Sequence, residues 1–183
     1  MNFLKTFEII LYSQPKEKII KKDEIINLRN ICTGNKSNIK LIYHIPQEKL
    51  FLIKIIKKEY HYLFIREHNN YLRCNHPFLP RYFGIVEYDS DNYLAIEYIQ
   101  GNSLNGIHKM QFDMYEKLKI VFELLIVFQY IHYINFIYRD LNPNNLIIDS
   151  NNHLVLIDLD EMIVNSYENI GPESTHELIL LLI

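Results

Sequence analysis

Tyr138-Arg139-Asp140-Leu141-Asn142-Pro143-Asn144-Asn145, running on through Leu146-Ile147-Ile148-Asp149 to Leu154-Val155-Leu156-Ile157-Asp158-Leu159-Asp160, is the stretch on which the reading of this chain turns. Asn145 follows Asp140 by five residues, and Asp158 follows it by eighteen. Between them, 146–148 and 154–157 are short β-prone runs flanking Asp149-Ser150-Asn151-Asn152, a turn-forming tetrad. These residue types at this spacing suit phosphoryl transfer. One carboxylate can orient a hydroxyl nucleophile, while an amide oxygen and a second carboxylate hold magnesium against a nucleotide's phosphates. Taken alone, the acidic run Asp158, Asp160, Glu161 would read as a solvated strand-to-loop corner, but its fixed distance from Asp140 argues against that.

The rest of the chain bounds the answer. It has 183 residues, 49% apolar and 22% charged, enough for one compact domain or two small lobes around a real core. A formal charge of −3 speaks against nucleic acid or an anionic membrane as the main partner. Cys32 and Cys74 make neither a disulfide framework nor a zinc-like spacing, so a reduced, cytoplasmic compartment is expected. Residues 1–8 carry Lys5 and Glu8 inside an apolar run and lack a small-residue cleavage site, unlike a signal peptide. The longest apolar stretch, 120–131, contains Glu123 and Gln129 and falls short of the ~20 residues needed to cross a bilayer. Abundant Asn, Ile, Lys and Tyr read as AT-rich coding, so the Asn pairs at 69–70, 144–145 and 151–152 are discounted.

Along the chain, 25–31, 38–44 and 49–56 are β-prone runs separated by Thr33-Gly34-Asn35 and Pro46-Gln47-Glu48. Residues 59–73 read as a helix with Tyr60, Leu63, Phe64, Tyr71 and Leu72 on related faces. Residues 82–87 and 93–97 form a hairpin around Asp89-Ser90-Asp91-Asn92. Beyond Tyr98-Ile99-Gln100-Gly101-Asn102, where the chain changes lobe, 113–134 is a long helix apolar on several faces, with Asp113 as its N-cap. Five strands with one helix, then a mostly helical half, is an α+β arrangement. Lys54, in Phe51-Leu52-Ile53-Lys54, sits in an apolar strand and needs a partner for its charge. Glu67, thirteen residues on within the helix and nine before His76-Pro77-Phe78-Leu79, is the natural one.

In this order and spacing, these segments resemble the eukaryotic protein kinase family, whose marks are V-A-I-K, H-R-D-x-x-x-x-N and D-F-G. D-L-N-P-N-N is nearer the serine/threonine-type loop. The resemblance covers roughly residues 25–175, about two thirds of such a domain. It implies a two-lobed α+β fold. Residues 1–97 would form an N-lobe of five antiparallel strands and one helix, with 1–24 as an extension. Residues 98–102 would be the hinge, and 103–183 an incomplete, mainly helical C-lobe. It also implies that Asp140 is the nucleophile-orienting base, that Asn145 and Asp158 hold Mg2+, and that Arg139 is the basic residue commonly contacting a phosphorylated activation loop. Lys54, paired with Glu67, and Gly34 of the phosphate-covering loop would bind the ATP phosphates. Ile39, Leu52 and Ile147 would wall the adenine, Ile96 would guard the back of its pocket, and Glu97 to Ile99 would bond its edge. Tyr71, Tyr82, Tyr138 and Leu159 would stack as a column joining the lobes. The implied reaction transfers the ATP γ-phosphate to a Ser/Thr hydroxyl of a protein substrate.

The departures are specific. Only Gly34 survives of three loop glycines, with Cys32 and Ser37 at the others. Leu52 stands where the family usually has alanine, and overpacking there costs about 1–3 kcal/mol unless neighbours shift. Asn142 replaces a lysine that steadies the transferring group, a loss of about 2–4 kcal/mol of transition-state stabilisation. Asp160 replaces the glycine of D-F-G, removing backbone freedom and adding negative charge. Gly171-Pro172-Glu173 resembles the A-P-E closing the activation segment, leaving Ser166 and Tyr167 as acceptors within it. An end at Ile183 omits later helices of the family's C-lobe and leaves apolar surface on 113–134 that invites a protein partner. Two other readings stay open: a catalytically impaired kinase-like binding module, and a small-molecule kinase, since aminoglycoside and choline kinases share D-x-x-x-x-N followed by D-x-D.

Overall fold

The computed structural model describes residues 18–87, 92–109 and 112–165. β1 (Ile19–Lys21), β2 (Ile25–Thr33), β3 (Ser37–His44) and β4 (Lys49–Ile56) precede helix α1 (His61–Arg73). β5 (Tyr82–Glu87) and β6 (Asn92–Glu97) complete a six-stranded sheet in the order β1-β5-β6-β4-β3-β2. β7 (Gly101–Ser103) then leads to helix α2 (Met114–Tyr133) and β8 (Phe136–Ile137). The hairpin of β9 (Leu146–Asp149) and β10 (Leu154–Leu156) pairs with β7, and β11 (Ile163–Val164) pairs with β8. The α+β, two-part arrangement expected from the sequence is therefore present. Gly171-Pro172-Glu173, Ser166 and Tyr167 lie outside the described residues, as do 88–91 of the expected hairpin turn.

The pleat of β4 sorts its side chains by period 2. Phe51 and Ile53 face away from α1 and join Ile20, Ile42, Val86, Tyr93 and Ala95 in a separate buried cluster. Lys54 and Ile56 face the other way, Ile56 into the main core. α1 buries Leu63, Phe64, Glu67, Asn70 and Tyr71, a spacing that places all five on one helical face. Two of the five are polar, which is why periodicity of apolar residues alone underestimates this face.

The five antiparallel strands gain a sixth that the sequence did not signal. β1 pairs in parallel with β5, Ile20 opposite Val86, and buries Ile20 almost completely. Three residues are too few to show a period. Its docking depends on Gly84, whose φ is +125° and where a Cβ would come within 1.9 Å of the Lys18 carbonyl oxygen. Gly101 is the second such position. A Cβ there would meet the Ile148 carbonyl at 2.1 Å, so glycine lets β7 lie close against β9.

α2 begins in a capping box. The Asp113 carboxylate accepts from the Glu116 N–H at 2.8 Å, and the Glu116 carboxylate accepts from the Asp113 N–H at 3.0 Å. Its buried residues are Glu123, Val127, Tyr130 and Ile131. Glu123 pins the β10 hairpin: it accepts from the Leu154 N–H at 2.8 Å and lies 2.6 Å from His153 Nδ1. The opposite face exposes Met114, Leu118, Phe122 and Leu125 among the described residues. His76 is buried, stacks on Tyr130 at 4.8 Å, and its Nδ1 accepts from the Phe78 N–H.

Two outcomes follow from these contacts. Gly84→Ala should cost 2 kcal/mol or more, read as a lower denaturation midpoint together with faster proteolysis near Lys18. Burial pulls His76 down from 6.5 to about 4. A group held neutral in the fold but protonated when unfolded contributes stability that is complete above pH 6.5 and is lost as pH falls toward 4. That loss should be on the order of 3 kcal/mol for His76. His44 and His132, also lowered by burial, add in the same direction. Denaturant titrations across that pH range should show the fall, and His76→Gln should flatten part of it.

Candidate active site

An apolar cleft of about 210 Å³ opens between the two parts, walled by Ile31, Ile39, Leu52, Ile96, Ile99 and Ile147, with Lys54, Glu67 and Asp158 at its inner end. The sheet supplies its roof through β2, β3 and β4, and β9 supplies its floor through Ile147. Glu97 and Tyr98 form its outer wall, and the Glu97 N–H is committed to the Arg81 carbonyl at 2.9 Å. Gly34 is not in the lining. It sits at the β2–β3 turn, where its N–H donates to the Ser37 carbonyl at 2.9 Å. Leu52 does project into the cleft wall, where the sequence raised the question of crowding.

Lys54 is buried, and its ammonium donates to Glu67 Oε1 at 2.9 Å and to Asp158 Oδ1 at 2.8 Å, with Asp160 Oδ2 at 3.8 Å. One cation thus faces three carboxylates drawn from α1 and from the loop after β10. Burial alone would pull the Lys54 ammonium down, but Glu67, Asp158 and Asp160 together reverse this and hold it above the ordinary lysine range. Burial pushes the Glu67 carboxyl up to about 7, opposed by Lys54 and reinforced by the charge of Asp158. Asp160 is also raised, first by burial. With three carboxylates on one ammonium, the most deeply buried one is the costliest to ionise.

In the loop that leads into β9, Asn145 Nδ2 donates to Asp140 Oδ2 at 2.8 Å and to the Asp140 carbonyl at 3.0 Å. Asn142 Nδ2 reaches the other carboxylate oxygen, Oδ1, at 3.1 Å, while its own Oδ1 caps the turn at Pro143–Asn145 by accepting from the Asn144 N–H. Two amides therefore fix the orientation of the Asp140 carboxylate from both sides. Asp158 and Arg139 hold φ of 62° and 70°, positions an L-residue keeps only when its surroundings over-determine it.

The four column residues are buried in one continuous core. Tyr71 and Tyr82 stack at 5.4 Å, and the Tyr138 hydroxyl donates to the Ile157 carbonyl, the partner a tyrosine in place of histidine requires. Asn70, discounted as compositional bias, proves to be structural. Its Nδ2 donates to the carbonyls of Leu159 and Met162 at 2.7 and 2.8 Å, tying α1 to the loop that carries Asp158. The signal available was its place three residues after Glu67 on the same helical face.

This constellation on a sheet-and-helix lobe packed over a helix and two small hairpins defines a protein kinase domain. Comparison with known proteins agrees: the protein kinase domain family matches residues 25–168, most of the chain, and the chain belongs to that family. Such domains use ATP with a divalent cation and act on proteins. Similarity extends to serine/threonine-protein kinase OXI1 of Arabidopsis thaliana, 39% identical over 92 residues, or 48% of this chain and 22% of that protein. A probable serine/threonine-protein kinase of Dictyostelium discoideum is 24% identical over 173 residues, 86% of this chain and 38% of its own length. Serine/threonine-protein kinase Sgk1-B of Xenopus laevis is 30% identical over 141 residues, 72% of this chain and 32% of its own. The chain thus spans less than two fifths of the length of these relatives. Among the described residues no helix is long and apolar enough to cross a membrane.

Leu52→Ala should enlarge the cleft and raise ATP affinity by about five- to tenfold, since an overpacked wall costs about 1 kcal/mol or somewhat more. Calorimetric titration of wild type and variant with ATP and Mg2+ measures it.

Proposed function

We propose that this chain transfers the γ-phosphate of ATP to a serine or threonine hydroxyl of a protein, with Asp140 orienting that hydroxyl. The observation that carries the reading is the ion cluster at the inner end of the cleft, where Lys54 holds Glu67 and Asp158 at 2.9 and 2.8 Å. The apolar walls formed by Ile39, Leu52 and Ile147 suit a purine, and the Lys54 ammonium suits its phosphates. Asp158 and the amide oxygen of Asn145 offer oxygen donors only, the chemistry a hard cation such as Mg2+ prefers. Bound there, Mg2+ would neutralise charge on the phosphates. Asp140, bonded to the Asn145 amide, has one amide donor on each carboxylate oxygen and retains a lone pair on each for an incoming hydroxyl.

Serine/threonine selection rests on the D-L-N-P-N-N loop and on the names of the relatives. A cytoplasmic location fits the two free cysteines. One observation favours the second reading, a kinase-like binding module with weak turnover. Asn142, where a cation would steady the transferring group, instead spends its amide on Asp140 and on its own turn.

Asp140→Ala should abolish labelled phosphate incorporation into a generic serine/threonine protein substrate while leaving ATP affinity within about threefold. Equal incorporation by wild type and variant would remove Asp140 from the reaction. Nucleotide binding without any wild-type turnover would favour the binding module.

A further inference from the structure

Glu161, three residues past Asp158, collects cations from three elements that are far apart in sequence. Its Oε2 lies 3.3 Å from Nη2 of Arg139, on the loop leading to Asp140. Its Oε1 lies 3.2 Å from Nη2 of Arg66, on α1, and 4.0 Å from Nζ of Lys36, at the β2–β3 turn. Arg139 is held twice, because its Nε also donates to the Glu161 carbonyl at 2.9 Å. Arg66 precedes Glu67 and Arg139 precedes Asp140, while Lys36 stands at the β2–β3 turn two residues past Gly34.

We propose that Glu161 is a positioning residue, an anion built into the chain that holds α1, the Asp140 loop and the β2–β3 turn in working register without any added phosphate. Three cations converging within 4.0 Å of one carboxylate would repel one another if that carboxylate were neutral. The Arg66 contact is an ion pair without hydrogen-bond alignment, so charge rather than a directional bond draws it in. Arg139 occupies a left-handed backbone conformation, φ 70°, which needs an external restraint, and the double grip of Glu161 is that restraint. The family resemblance implies a phosphorylated segment as the partner of Arg139; here Glu161, on the loop that carries Asp158, holds it. Isolated exposed ion pairs contribute little. A network of three on one partly exposed carboxylate is stronger, and it is screened by salt.

The inference rests on the phosphotransfer reading, and its test separates the two. Wild type, Glu161→Gln and Glu161→Asp are prepared phosphate-free by phosphatase treatment, verified by intact mass. The expected result is undiminished activity of the treated wild type and about a tenfold lower kcat in Glu161→Gln, with KM for ATP changed less than threefold. At least half of the activity should return in Glu161→Asp, which keeps the charge. Raising salt from 50 to 500 mM should slow the wild type and leave Glu161→Gln unaffected. Amide hydrogen exchange over 136–145, read in the same samples, should be about tenfold faster in Glu161→Gln. If the wild type shows no turnover but this exchange difference is present, the kinase reading fails and the positioning role stands. Loss of wild-type activity on phosphatase treatment, or a Glu161→Gln variant matching wild type in both kcat and exchange, overturns the proposal.

Discussion

Taking the Lys54 ammonium out of water without compensation would cost several kcal/mol, and much of the surrounding structure consists of elements that bring carboxylates to it. β4 delivers the lysine to the cleft side of the sheet, α1 delivers Glu67, and the loop after β10 delivers Asp158 from more than a hundred residues away. None of the three can relax independently. If α1 rotated outward, it would leave a buried cation without its most deeply buried partner, held only by the half-buried Asp158 and Asp160. If the Asp158 loop moved, the net charge around Glu67 would change. The stacked Tyr71 and Tyr82 and the Asn70 amide bonds to Leu159 and Met162 run alongside this cluster and couple the same two elements by packing and by hydrogen bonding.

That coupling explains why substitutions at named family positions are tolerated locally. Tyrosine at 138 keeps the packing and finds a carbonyl for its hydroxyl. Leucine at 159 is fully buried in the column. Asp160, where glycine is usual, enters the lysine cluster as a third carboxylate and raises its negative charge. Asn142 gives up a cation but gains two local roles, capping the turn at Pro143–Asn145 and orienting Asp140. Tyr138 and Leu159 preserve the packing, while Asp160 and Asn142 change the charge of the cleft and of the Asp140 loop.

Glu123 illustrates the same logic in the lower part. A buried carboxylate on α2 is satisfied by the Leu154 N–H and by His153, so the hairpin that carries Ile147 and leads to Asp158 is anchored to the longest helix. Among the described residues, Lys54, Asn70 and Glu123 are buried polar groups that join separate elements, and apolar contacts fill the space around them. This is the arrangement expected when an unpaired buried polar group costs more than a missing van der Waals contact.

Lys54, Glu67, Asp140, Asn145 and Asp158 were legible in the sequence because each sits in a short segment whose spacing is set by local structure: a strand, one helix and a tight hairpin. The α+β class and most strand and helix limits were legible for the same reason, since apolar periodicity is a local property. β1 was not, because three residues show no period and its place depends on a glycine conformation at position 84. Asn70 was passed over as compositional bias, and Arg66 and Glu161 were not linked, because they are partners only after α1 and the Asp158 loop meet. The sequence by itself determined which chemistry-bearing groups exist and how each element holds them. Only the tertiary structure decided that Asp158 and Asp160 share Lys54 with Glu67 and that Arg66, Arg139 and Lys36 share Glu161, because electrostatic contacts act through space and their energies depend on burial that no local segment can reveal.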